Sequence, residues 1–194
     1  GWSDPLAQTF MLAEGRCVSA VRLKCKTKGA ASNAIFVQIR TVEVGLPTSE
    51  VLAEAFVPGT DLAAGEFFTA RFGVPVYLER GRQYAFVALT DDANHSLAIA
   101  ELGKIDQNGA IVSEQPFVVG VLLSSSNAMT WTVHNEADLV FQLIACHFDP
   151  IERTVAIGAF TATKMSDIIV SAGVEYPESD ASVEITMTRP NGEI

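Results

Sequence analysis

The chain has 194 residues, 48% of them hydrophobic, with 23 acidic against 13 basic residues and a net charge of -10. That length and apolar content suffice for one full domain plus a smaller unit, which excludes a disordered tail. The acidic balance repels phosphate backbones and anionic bilayers, and no apolar run approaches the ~20 residues that span a membrane, so nucleic acid and membrane insertion are excluded.

The chain starts at Gly1 rather than Met, with no charged segment leading into an apolar stretch, so no signal peptide is visible and a cloning remnant or excised fragment is expected. An odd number of cysteines, Cys17, Cys25 and Cys146, argues against a closed disulfide framework. Cys17 and Cys25 fall on one predicted strand, too far apart to bridge if it is straight. Buried thiols made in a reducing cytoplasm are expected.

Taken in chain order, Asp4-Pro5 fixes a turn and Leu6 to Leu12 enters as a strand with Leu6, Gln8, Phe10 and Leu12 on one side. Gln8 is then either buried and hydrogen-bonded, tying this strand to a loop, or an edge-strand side chain facing water. From Cys17 to Lys26, Cys17, Val21, Leu23 and Cys25 share one face and Arg22, Lys24 and Lys26 the other. Ile35, Val37 and Ile39 point inward, with Gln38 and Arg40 outward; Phe68, Ala70 and Phe72 fall together. Thr48 to Ala55 fits a short helix or a strand. Tyr84 to Leu89 and Leu139 to Phe148 are apolar on nearly both faces, as central strands are.

Turn signals separate these runs: Val44-Gly45-Leu46-Pro47, Pro58-Gly59, Ala64-Gly65, Arg80-Gly81, Asp91 to Asn94, Asn108-Gly109 and Ser124 to Asn127. The expected fold is all-β: a jelly-roll-like antiparallel β-sandwich over residues 1–149. A smaller β segment over 150–194, with strands at 153–160, 168–174 and 182–188, is the start of a second, truncated domain. Arg189-Pro190-Asn191-Gly192 carries a hairpin signal without a return strand, so the parent protein is expected to continue.

The opening Asp4-Pro5-Leu6-Ala7-Gln8-Thr9-Phe10 resembles the DPLAQTF start of a domain in large structural proteins of tailed phages, including tail-fibre and baseplate-associated proteins. Further landmarks follow in order: Val37-Gln38-Ile39-Arg40, Gly45-Leu46-Pro47-Thr48, Pro75-Val76-Tyr77-Leu78 with Tyr84, Gln115-Pro116-Phe117, and Leu122 to Thr132 leading into Asp138-Leu139-Val140-Phe141. Together they span residues 4–148. The resemblance implies a jelly-roll-like sandwich with a non-enzymatic role in the virion, made in the host bacterial cytoplasm, with other virion subunits as partners. It carries no catalytic residues. Fibre proteins are often trimeric, so the resemblance also implies a homo-oligomeric parent.

The chain contains no Gly-x-Ser-x-Gly elbow, Walker loop, His-Glu-x-x-His or Cys-x-x-Cys pair. No catalytic residue, metal site or cofactor is therefore assigned. His95 reads as a solvated loop imidazole, and Cys146 and His147 point to opposite faces of a strand. Asp91, Asp92, Glu101, Asp106 and Asp138 are enough acids for glycoside hydrolysis, but spacing does not select a pair. Asp106-Gln107-Asn108-Gly109 reads as a hairpin turn rather than a calcium loop, and Asp91 to Asn94 likewise lacks a full ligand set.

Ser125, Asn127, Trp131 and His134 are the candidate ligand-binding residues, since sugar sites pair an aromatic platform with short hydrogen-bonding side chains. They make a carbohydrate-binding module for host-surface glycans the alternative function. Alternation also suits Trp131 as a core residue with Val133, opposite Thr130, Thr132 and His134. Arg22, Lys24, Lys26 and Lys28 form a basic stripe, read as a solvated sheet face or as a dock for an acidic patch on a neighbouring subunit.

Overall fold

The structure, a computed structural model, describes residues 4–101, 118–146, 154–156, 158, 169 and 182–187. The strands are β1 (Leu6–Met11), β2 (Arg16–Thr27), β3 (Ile35–Glu43), β4 (Leu46–Val57), β5 (Phe67–Leu78) and β6 (Gln83–Leu89). They continue with β7 (Ser96–Leu97), β8 (Ile99–Glu101), β9 (Val118–Ser124), β10 (Thr132–His134), β11 (Ala137–Leu139) and β12 (Phe141–Ala145). A 3-10 turn at Gly59–Asp61 links β4 to β5. Among the described residues no helix is long and apolar enough to cross a membrane.

The larger sheet has the order β10-β9-β1-β6-β3-β4 and the smaller one β12-β2-β5, with β7 pairing the end of β2 and β11 pairing β8. The strand ladders are antiparallel. The chain passes from one sheet to the other after β1, β2, β4 and β5, so spatial neighbours are often remote in sequence. This is an all-β antiparallel sandwich, as the alternation implies.

Its core forms where the inward faces meet. Val21, Leu23 and Cys25 of β2, Ile35, Val37 and Ile39 of β3, and Phe68, Ala70 and Phe72 of β5 are all buried in one cluster with Phe10, Tyr84, Phe86 and Phe141. The rings of Phe86 and Phe141 lie 4.8 Å apart and tilted, with Phe10 6.1 Å from Phe86. Each such side chain contributes roughly 1.5–3 kcal/mol on burial. β6, buried from Tyr84 to Leu89, runs through the middle of the larger sheet.

The apolar stretch starting at Leu139 behaves differently from a single central strand. It breaks after Leu139, and β12 lies at the edge of the smaller sheet with Gln142 and Ala145 exposed. His147 and Phe148 lie outside the described residues. Thr48 to Ala55, ambiguous between helix and strand, belongs to β4, where ladder pairing with β3 decides the matter. Of the segment after residue 150, residues 182–187 are exposed and belong to no sheet, and the strands expected at 153–160 and 168–174 lie mainly outside the described residues.

β1 lies between β6 and β9, which places Gln8 in the interior with no exposed surface. Its amide is satisfied at both ends: Nε2 donates to Asp138 Oδ1 at 2.9 Å, and Oε1 accepts from the Leu139 backbone N–H at 2.9 Å. Of the two readings of Gln8, the buried tie holds. Burial pushes the Asp138 carboxyl up from its ordinary value, and the Gln8 hydrogen bond partly offsets this.

The β3–β4 hairpin turns through Val44 and Gly45, both at positive φ, 51° and 75°. Two such residues define the tight hairpin turn whose twist matches the strands. Gly45 adopts that conformation freely, but a β-branched residue is strained there. Val44 is also fully exposed.

Gln8→Leu removes both partners from buried groups, at about 1–3 kcal/mol for each group stranded. Urea unfolding should show a loss of roughly 2–5 kcal/mol. Asp138→Asn keeps the acceptor and removes a desolvated charge. Because the Asp138 value is raised in the fold, its charged form opposes folding at neutral pH, so this variant should be at least as stable as the wild type there. Val44→Asn should raise stability by about 1 kcal/mol, measured the same way.

Candidate functional site

Between β9 and β10 the chain crosses the outer face of the larger sheet. Ser125 Oγ accepts from the N–H groups of Asn127 (3.1 Å) and Ala128 (2.9 Å). Asn127 Oδ1 accepts from the N–H groups of Met129 (2.9 Å) and Thr130 (2.8 Å) and from the Ser125 and Thr130 hydroxyls, both at 3.1 Å. Short oxygen-bearing side chains favour such turns because they satisfy backbone donors that no ladder reaches. The loop is pinned below by the Ser125 N–H, which donates to Pro5 O at 2.9 Å.

A second pin comes from β3. Arg40 points outward, as alternation requires, but the loop covers it and it is buried. Its NH1 donates to Ala128 O at 3.3 Å and to Thr48 O at 3.4 Å, while Nε and NH2 donate to Gln38 Oε1 at 2.8 and 2.6 Å. Gln38 Nε2 in turn donates to Glu54. Burial lowers the Arg40 value and the Glu54 charge partly restores it.

Trp131 packs half-buried beside Phe36 and Val121 onto a small outer cluster of Ala7, Val87, Leu89, Leu123 and Ala128. Its indole Nε1–H is buried with no hydrogen-bond partner among the described residues. Trp131 is thus neither in the inter-sheet core nor an open platform. Val133, opposite Leu123, shares its side; His134, opposite Leu122, projects to the other and meets Ser124 Oγ through Nε2 at 2.8 Å. The structure brings Ser125, Asn127 and Trp131 into one loop and sets His134 apart.

A separate polar knot closes one end of the sandwich. Asp92 Oδ2 accepts from Ala30 N–H at 2.8 Å and Asn33 Nδ2 at 3.0 Å, and Oδ1 accepts from Asn94 N–H at 2.9 Å. His95, read from the sequence as a solvated loop residue, is instead buried. Its Nδ1 accepts from Gly29 N–H at 2.9 Å, which leaves Nε2, 2.9 Å from Asn33 O, to donate. Gly29 approaches so closely that a Cβ there would run into the Asp92 carboxylate. The Asn33, Asn94 and Ala30 hydrogen bonds, with a smaller contribution from His95, hold the Asp92 carboxyl at about 2.

Asp92 and Asp138 sit in separate structural ties, and Asp106 to Gly109 lies outside the described residues. Among the described residues no group of three or more His, Cys, Asp or Glu is placed to hold a metal ion.

Sequence reasoning missed a strip along the β3–β4 hairpin. Val44 is fully exposed, Phe56 is 60% exposed, and Leu46 and Val51 are also open to solvent. Phe56 meets Phe36 edge to face at 5.4 Å, joining the strip to the Trp131 cluster. An apolar residue at a hairpin tip, and Phe36 on the side of β3 that carries Gln38 and Arg40, were the available signals. Compared with known protein families, characterised proteins and solved structures, the chain shows no match.

Asp92→Asn puts an amide N–H₂ against donors that need an acceptor. Because the folded Asp92 value of about 2 lies below the ordinary 3.8, its contribution is full above about pH 4 and is lost as pH falls towards 2. The variant should be less stable than the wild type at neutral pH, and the gap should close across that window in thermal unfolding against pH.

Proposed function

We propose that the chain is a non-enzymatic structural protein of a tailed phage or prophage virion, in the tail, fibre or baseplate region. It acts by assembly and surface presentation. The observation that carries the reading is the exposed apolar strip of Val44, Leu46, Val51 and Phe56 along the edge strand of the larger sheet. Large apolar side chains left exposed along a sheet edge favour association, because covering them removes them from water. The other virion subunits are the partners that fit, and the resemblance of the landmark segments to phage structural proteins supports the same reading.

The second reading, a carbohydrate-binding module for host-surface glycans, draws on Trp131 beside Ser125 and Asn127. Its support is weaker, because the Ser125 hydroxyl and the Asn127 carbonyl already serve the loop backbone.

An antibody raised against the chain should label the tails of intact virions in electron micrographs of a phage lysate. Val44→Ser combined with Phe56→Ser should lower particle yield at least tenfold while the isolated chain still folds. Labelling confined to cell debris, or unchanged yield, would sink the assembly reading. Saturable, selective binding of bead-displayed chain to a glycan array, lost in a folded Trp131→Ala variant, would move the assignment to the glycan module.

A further inference from the structure

The outer face of the smaller sheet has the opposite character. Cross-strand register places Lys24 opposite Phe67, Arg22 between Gln142 and Thr69, and Arg71 opposite Ala20, all on the side away from the core. Lys26 continues the row and is exposed. Arg22, Lys24, Lys26 and Arg71 thus form a basic face on a chain whose net charge is -10. Among the described residues none of them makes an ion pair, including with Glu66 at the rim.

The face is ordered as well as charged. The Arg22 guanidinium lies 5.1 Å from the centre of the Phe67 ring and donates to Gln142 Oε1 at 3.0 Å; Lys24 Nζ is 5.9 Å from the same ring. Phe67 itself is 37% exposed. An arginine already held by a ring and an amide loses little freedom when it binds, and its remaining N–H groups form the planar fork that matches a carboxylate. Arginine and aromatic side chains are also the types that dominate protein interfaces.

We propose that this face docks an acidic protein surface, with Arg22, Lys24 and Arg71 pairing its carboxylates around Phe67. The extent of the face argues for that partner over a long polyanion. β12, β2 and β5 side by side span about 10 Å, and charges at physiological salt are felt over about 8 Å. A sulfated or phosphorylated polymer laid across the face would run onto the acidic remainder of the chain, whereas a compact patch of carboxylates would not. The choice of a protein partner rests on the assembly reading above. The charged face is separate from the apolar strip, so the two can fail independently.

The test is fluorescence polarisation of a short labelled poly-glutamate peptide with the whole chain, beside labelled heparin, at low and physiological salt. Poly-glutamate should bind and weaken by about tenfold as salt rises. Arg71→Gln, an exposed substitution that leaves the core untouched, should weaken binding about two- to fivefold, and Arg22→Gln with Lys24→Gln and Arg71→Gln by more than tenfold. Val44→Ser with Phe56→Ser should leave this binding unchanged. Absence of poly-glutamate binding, binding untouched by Arg71→Gln and the triple substitution, or preference for heparin would overturn the proposal.

Discussion

A fully buried glutamine in a largely apolar interior is the constraint on which the sandwich depends. β1 can run through the middle of the larger sheet because Gln8, facing the core, finds an acceptor in Asp138 and a donor in the Leu139 backbone. Without those partners the strand would bury a bare amide, and a slip by one residue would turn Phe10 outward and Thr9 inward. The tie therefore fixes register as well as position. From β1 the rest follows: β9 pairs on one side, β6 on the other, and the loop after β9 folds back to the Pro5 carbonyl.

Several of the landmark segments touch one another, while Gln115 to Phe117 lies outside the described residues. Pro5 meets Ser125, Gln8 meets Asp138 and Leu139, and Arg40 meets Ala128. The Tyr84 hydroxyl accepts from the Glu79 N–H, just past Pro75 to Leu78. Residues far apart in sequence occur together because each satisfies a polar group that the other leaves buried. Their pattern describes how this sandwich is closed rather than what it binds.

Much of the fold was legible because period-two alternation is a local consequence of backbone geometry, and it placed Val21, Leu23, Val37, Ile39 and Phe68 correctly. Alternation reports only which side a residue takes, not what covers that side. Arg40 was correctly outward and still buried, because a loop contributed by residues far along the chain lies over it. His95 was in a loop, as read, yet enclosed, because Gly29 and Asn33 supply hydrogen bonds that no local pattern announces. The loop of the candidate site was visible in composition. The commitment of its oxygens to backbone donors was not, since that depends on the conformation of the loop itself.

The position of β1 also bears on biosynthesis. β1 is synthesised well before it can be completed, since its two neighbours, β6 and β9, are made long after it. Until Val118–Ser124 emerges, Ala7 and Phe10 have no finished sheet to enter, and a growing chain carries them exposed. Such non-local pairing makes folding slow and delays closure of the sheet until β9 has been made. On crowded polysomes β1 is thus a segment for a holding chaperone to shield, and cuts of the chain before β9 should yield aggregates rather than smaller sandwiches.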